Sequence, residues 1–129
     1  WRPFSASLLE SAADDYIDRG KLNSHDEAMA LSVKTTAKFR EVYPDVVHVD
    51  GTARLQVVRD DNNADFHNLL SQFADATGQR LLINTALNRP GEALVCTPEE
   101  AINAFHGTDL NYLILGDLLV SKREEVDDW

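Results

Sequence analysis

Phe66, Leu69, Leu70, Phe73 and Ala74 follow the i, i+3, i+4, i+7, i+8 spacing of one helix face, with Asn62 or Asn63 before them and Gly78 after. Two strand-like runs bracket this helix. Thr52 to Arg59 alternates, with Leu55 and Val57 on one face, and Arg80 to Asn84 is a short apolar run of the buried type. Strand, helix and strand in succession predict a mixed α/β or α+β domain, with about three or four helices on a sheet of five to seven short strands. Ser5 or Ser7 caps a predicted helix from about Ser7 to Asp18, which Gly20 ends, and Met29 to Lys34 alternates as a half-buried strand. Thr36 to Tyr43 is a short helix stopped by Pro44. Val46 to Val49, the Asp50-Gly51 turn and the run from Thr52 read as a hairpin. Ala93 to Cys96 is expected as another strand. Thr97-Pro98-Glu99-Glu100 opens a helix to about Phe105, and Leu110 to Leu115 with Leu118 to Lys122 form a closing hairpin at Gly116-Asp117. Arg123 to Trp129 is a charged tail.

At 129 residues the chain predicts one domain around one core, taken as residues 1–122 before the tail. Twelve basic against 22 acidic residues give a net charge of −10, which opposes attraction to nucleic acid or anionic lipid. An anionic ligand therefore requires a local cationic pocket. The single cysteine, Cys96, excludes an intramolecular disulfide and a multi-cysteine zinc site; it fits a buried inert thiol and a reducing, cytoplasmic setting. No run of 18 apolar residues spans a membrane, and no signal-peptide pattern opens the chain. Trp1 in place of Met predicts an excised or processed piece of a longer protein. His25, His67 and His106 lie scattered, with His67 expected at the surface, and argue no metal site. Glycine-rich nucleotide signatures are lacking.

Two segments carry chemistry. His48-Val49-Asp50-Gly51-Thr52-Ala53-Arg54-Leu55-Gln56 sets a histidine, a carboxylate and an arginine around a glycine turn. It is either a structural hairpin whose Arg54 pairs with one of the many carboxylates, or an anion grip in which the guanidinium fork meets phosphate or carboxylate oxygens. The loop Asn84-Thr85-Ala86-Leu87-Asn88-Arg89-Pro90-Gly91-Glu92 leaves a strand end, where open α/β sheets place ligands. Its amides and hydroxyl suit a polar or phosphorylated group, or else Asn84 and Asn88 bond their own backbone.

These strings, with Arg2-Pro3-Phe4-Ser5-Ala6-Ser7-Leu8-Leu9, Gly91-Glu92-Ala93-Leu94-Val95-Cys96-Thr97-Pro98-Glu99-Glu100-Ala101 and the run Leu113 to Lys122, resemble the large O-carbamoyltransferases of the nodulation-protein and antibiotic-tailoring type, specifically their C-terminal, YrdC-like domain. The resemblance implies a twisted mixed sheet flanked by helices, of which this chain is part. It implies that this domain makes carbamoyl-adenylate from ATP and carbamoyl phosphate, releasing pyrophosphate. A separate N-terminal domain, which holds a metal, passes the carbamoyl group to a substrate hydroxyl. ATP is then a co-substrate, this chain holds no metal, and the partners are carbamoyl phosphate, ATP and the N-terminal transferase domain, with room for a homodimer of the full-length protein. Arg54 resembles the arginine that holds substrate phosphate, and Asn84 stands beside it as the second catalytic candidate. Arg2, Lys34, His48, Asp50, Gly51, Thr85, Asn88 and Gly91 are the implied substrate and nucleotide contacts.

The sequence departs from the family pattern at Ala86, where a serine is usual, and at Arg89, which precedes Pro90 where the family more often sets a basic residue before the glycine. Loss of one hydrogen bond to a charged ligand costs about 1.5 to 3 kcal/mol. Besides the adenylating domain, two readings stay open: a non-catalytic nucleotide-binding or docking module of the same fold, and a small acidic interaction domain whose motif residues are only structural.

Overall fold

Ser5-Ala6-Ser7-Leu8-Leu9 alternates small polar and apolar side chains and forms the central strand β1 (Ser5–Leu9), buried along its whole length. The computed structural model describes residues 4–18 and 29–122. The described residues up to Thr85 make one compact unit, and those from Ala86 make a second.

In the first unit β1 runs parallel to β3 (Thr52–Val58) and antiparallel to β4 (Leu81–Asn84), while β2 (Ser32–Lys34) closes the other side of β3 in antiparallel register. The order is β2-β3-β1-β4. Because successive side chains of a strand point to opposite faces, one face carries Ala6, Leu8, Ala53, Leu55 and Val57. Against it pack Ala13 of α1 (Ala13–Tyr16), Phe39 of α2 (Ala37–Val42), and Ile17 and Val46. Tyr16 and Tyr43 close on the buried Phe39 ring, with centroids 5.7 and 5.4 Å away. On the opposite face Leu9 and Val58 meet Leu70 of α3 (Ala64–Thr77), flanked by Phe66 and Phe73. Asn63 caps α3 by accepting the Phe66 N–H at 3.1 Å, and Gly78 ends it at a φ of 74°.

The second unit joins α4 (Pro98–His106) to the hairpin of β5 (Tyr112–Leu115) and β6 (Leu118–Ser121). Its core is Ala101, Phe105 and Leu113, with Leu87, Val95, Leu115 and Val120 around them. The α4 start is a full capping box: Thr97 Oγ1 accepts the Glu100 N–H at 3.2 Å, and Glu100 Oε2 accepts the N–H groups of Thr97 at 3.1 Å and Cys96 at 2.8 Å. The Cys96 and Thr97 amides, in that order, hold the Glu100 carboxyl below its ordinary 4.5.

The mixed α/β architecture, the α3 helix with its caps, α2, α4 and the closing hairpin agree with expectation. Four local expectations do not. Residues 7–18 do not form one helix: Ser7, Leu8 and Leu9 lie in β1, a tight helical turn covers Glu10–Ala12, and only Ala13–Tyr16 is α-helical. Pairing on both sides of β1 outweighs the local helix preference of Leu and Glu. Val46 to Val49 is not a strand. Pro44–Val46 is a tight helical turn that buries Val46, and Val49 is fully exposed. The edge partner of β3 is β2 instead, shortened to three residues: Met29 takes a φ of 52°, outside the strand region, and Ala30 and Leu31 make no strand pairing. Ala93 to Cys96 is irregular: the Val95 N–H bonds Leu87 O at 3.2 Å, and the Cys96 N–H goes to the Glu100 carboxylate at 2.8 Å instead of to a strand. The described strands number six, split into a four-stranded sheet and a separate hairpin rather than one larger sheet. Side-chain placement differs too: Cys96 is exposed and His67 is half-buried, while Ile83 and Asn84 of β4 are exposed because β4 is an edge strand. The predicted Gly20 stop, His25 and the 123–129 tail lie outside the described residues.

The buried aromatic at the centre of the helical face sets a stability test. Phe39→Ala is expected to lower unfolding free energy by about 3 to 5 kcal/mol in urea titration, against under about 0.5 kcal/mol for Leu69→Ala on the exposed side of α3.

Candidate functional site

The turn before β3 is built on hydrogen bonds that the sequence order makes local. His48 N–H donates to Thr52 O at 2.7 Å, and Gly51 N–H donates to His48 O at 2.9 Å. Gly51 has a φ of 76°, and a Cβ there would lie 3.1 Å from Arg40 Nη1, so both backbone and space select glycine. The Gly51 carbonyl accepts from the Thr35 hydroxyl at 2.7 Å, while Arg40 Nη1 donates to Thr35 O at 3.1 Å. Asp50 Oδ1 accepts from the Thr52 hydroxyl at 2.7 Å and its N–H at 3.0 Å; these two bonds, the hydroxyl first, hold the Asp50 carboxyl below its ordinary 3.8. Since the Thr52 proton goes to Asp50, His48 Nδ1, 3.0 Å from Thr52 Oγ1, is the donor of the third contact. His48 therefore carries its proton on Nδ1 and keeps Nε2 as an acceptor when neutral. Asp50, Thr52 and His48 thus form one chain of hydrogen bonds.

The pleat next assembles a polar half-face on the sheet. Arg54 pairs with Ser32 across β2, Lys34 pairs with Thr52, and Ser5 pairs with Asn84 across β4, so these side chains share the face that α3 covers further along. Arg54, half-buried, donates to Ser5 Oγ from Nε at 2.8 Å and also from Nη2. One step along, Ser7 Oγ donates to Gln56 Oε1 at 2.9 Å, and one step further Leu9 and Val58 are apolar under Leu70. The face grades from cationic through amide and hydroxyl to oil. Among the described residues, no carboxylate lies within ion-pair distance of Arg54 or Lys34, whereas Lys38 pairs with Asp15 at 2.8 Å and Arg59 with Glu10 at 2.9 Å. Of the two local readings of Arg54, the carboxylate-paired one has no partner among the described residues.

Sequence reasoning missed Ser5, Ser7 and Gln56. The signal was present: Ser5-x-Ser7-x-Leu9 and Arg54-x-Gln56-x-Val58 share one polar-polar-apolar alternation, which only strand pairing brings side by side. The structure brings Arg54, Lys34 and Asn84 onto one face, with His48, Asp50 and Gly51 in the turn leading into it. Thr85 is exposed beyond β4, and Arg2 lies outside the described residues.

In the second unit, Asn88 Nδ2 donates to the carbonyls of Arg89 at 3.1 Å and Glu92 at 3.0 Å. Arg89-Pro90-Gly91-Glu92 is a turn closed by Glu92 N–H on Arg89 O at 3.0 Å, with Gly91 at a φ of 83° as a type II turn requires. Asn88 and Gly91 thus serve the backbone. Arg89 Nη2 donates to Asn103 O at 2.8 Å, and its guanidinium fills the space beside Gly107, where a Cβ would come within 2.3 Å. A cavity of about 480 Å³ opens between Arg89, Leu94, Glu100 and Asn103; Arg89 Nη2 and the Glu100 carboxylate are bonded at the α4 ends, while the buried Arg89 Nε has no partner among the described residues. No three His, Cys, Asp or Glu side chains converge as a metal site among the described residues, and no helix there is long and apolar enough to cross a membrane.

The family described as the carbamoyltransferase C-terminus matches residues 1–122. The chain is 33% identical over 130 residues to nodulation protein NolNO of Sinorhizobium fredii, a match that takes in all of this chain and 19% of that protein. It is 31% identical over 123 residues to an uncharacterized protein, MJ1058, of Methanocaldococcus jannaschii, covering 95% of this chain and 20% of the relative. A 3'-hydroxymethylcephem-O-carbamoyltransferase of Amycolatopsis lactamdurans matches at 37% identity over 79 residues, 61% of this chain and 15% of the enzyme. The chain thus spans about a fifth of the length of the curated relatives it matches.

The turn carries a pH signature. Asp50 has a folded-state value below that of the unfolded chain, so its contribution is full above the unfolded value and is lost as pH falls through the folded one. Asp50→Ala is expected to lower Tm at neutral pH and to flatten the fall in Tm below about pH 4, measured by thermal melts across an acid series.

Proposed function

Because the chain belongs to the carbamoyltransferase family, whose C-terminal portion it carries, we propose that it is the part of an O-carbamoyltransferase that binds carbamoyl phosphate and ATP and forms carbamoyl-adenylate. Water first releases inorganic phosphate from carbamoyl phosphate and leaves carbamate. A carbamate oxygen then attacks the α-phosphorus of ATP, the bond from that phosphorus to the oxygen bridging to the β-phosphate breaks, and pyrophosphate departs. A separate N-terminal domain then passes the carbamoyl group to a hydroxyl of the acceptor, which breaks the bond to AMP and releases AMP and the hydroxyl proton; that domain, not this chain, would hold the metal.

One observation carries this reading: in a chain of net charge −10, Arg54 is half-buried and, among the described residues, rests on a neutral hydroxyl instead of a carboxylate. A guanidinium keeps its charge at all physiological pH, and withdrawing it from water without a counter-charge is unfavourable, so the position favours an anionic ligand. Lys34 on the same face adds a second cation, and Asn84 and Gln56 add amides that suit a carbamoyl group. Bringing carbamate to a triphosphate is mainly a matter of orientation and charge neutralisation, for which such donors suffice without a protein nucleophile.

A second reading, a non-catalytic nucleotide-binding or docking module, draws on Asn88, whose amide is spent on two backbone carbonyls of its own loop. The two readings separate in one pair of measurements. In the complete protein, Arg54→Ala is expected to reduce carbamoyl-phosphate-dependent pyrophosphate release about 100-fold or more while the protein stays folded by circular dichroism; unchanged release overturns the proposal. For this chain, ligand at about 100-fold above Kd should stabilise the fold by about 2.7 kcal/mol in thermal shift, and Arg54→Ala should abolish the shift. Binding without any pyrophosphate release by the complete protein selects the second reading.

A further inference from the structure

Ser5 is 4% exposed in the middle of the sheet, yet its hydroxyl has no apolar role. Its Oγ accepts from both Nε and Nη2 of Arg54, the two nitrogens that form the side-on edge of the guanidinium. β1 is paired on both sides, to β3 and to β4, so the serine has no freedom to follow a moving arginine. Among the described residues, Nη1 and the outer N–H of Nη2 have no protein acceptor. That end-on edge matches two oxygens of a phosphate or carboxylate.

We propose that Ser5 is the positioning residue of this anion site: it clamps the side-on edge of Arg54 and turns the end-on edge toward the phosphate-bearing ligand. This rests on the reading of Arg54 given above. A carboxylate at the same place would hold the guanidinium as firmly but would cancel the charge that the ligand needs. A buried hydroxyl orients without neutralising. A long side chain ordered before binding loses less freedom when the ligand arrives, so removal of the hydroxyl weakens binding by about tenfold.

The test is a double-mutant cycle on the full chain with Ser5→Ala, Arg54→Lys and their combination. Binding of carbamoyl phosphate and of pyrophosphate is measured by calorimetry, beside the exchange rate of the Arg54 Nε proton by NMR. Lysine lacks the fork that the serine grips. The expected result is about tenfold weaker binding and faster Nε proton exchange in Ser5→Ala, with no further loss from that change in the Arg54→Lys background. Ser5→Cys, close in size and a poor acceptor, should behave like Ser5→Ala, and it stands in if the alanine variant unfolds. Binding that depends on Arg54 but is indifferent to Ser5, or losses that simply add, overturn this inference alone. No binding of either anion by the wild-type chain overturns the functional reading and this inference with it.

Discussion

Strand β1 is hydrogen-bonded along both edges and exposes none of its five residues, so each side chain in it has to be satisfied by one face or the other. Ala6 and Leu8 are satisfied by the oil of α1, α2 and the Phe39 cluster, and Leu9 by Leu70 of α3. Ser5 and Ser7 cannot be satisfied by oil. A buried hydroxyl without a partner costs about 1 to 3 kcal/mol, so the neighbouring strand must bring polar atoms to the same height. β3 does so with Arg54 and Gln56, in a parallel register that sets Ala6 opposite Leu55 and Ser7 opposite Gln56. A one-residue slip of that register would put Arg54 and Gln56 into the helical core and Leu55 and Val57 onto the polar face. The position of the cation, the depth of the core and the direction of β3 therefore depend on one set of strand pairings.

The turn that leads into β3 serves the same end. Asp50 satisfies the first amide of the strand, Thr52 ties Asp50 to His48, and Gly51 lets the chain reverse under Arg40. These bonds fix where β3 begins, and a strand that begins in one place presents Arg54 in one place. The negative charge of the turn is held on Thr52 rather than on Arg54. In a strongly acidic chain this separation matters: Arg59, Lys38 and Arg89 each have a carboxylate partner, and the two cations of the polar face have none among the described residues.

How much was legible follows from how local each cause is. α3 and α4 were readable because their periodicity, their caps at Asn63 and Thr97 and the Gly78 end all lie within a few residues. The closing hairpin was readable for the same reason. Ser5 to Leu9 was misread because serine before Leu-Leu-Glu is a good helix start, and nothing within that segment announces strands on both sides. Val46 to Val49 was misread because a β-branched run beside Asp-Gly suits a hairpin, whereas the core took Val46 in a helical turn and left Val49 in water. The arginine of the candidate site was legible as chemistry, through its own charge and its motif. Its environment was not.

By itself the sequence determined the charge balance, the mixed α/β class, the capped helices and the presence of an arginine just after a glycine turn, because each is a property of residue type or of neighbours within one helical turn. Only the tertiary structure decided that Arg54 meets Ser5, 49 positions away, that Ser7 meets Gln56 at the same separation, and that Asn84 lies opposite Ser5. The physical reason is that strand pairing sets register between segments whose own sequences do not specify each other. Burial on the two faces then selects, among the registers that backbone hydrogen bonds allow, the one that leaves no polar side chain in oil.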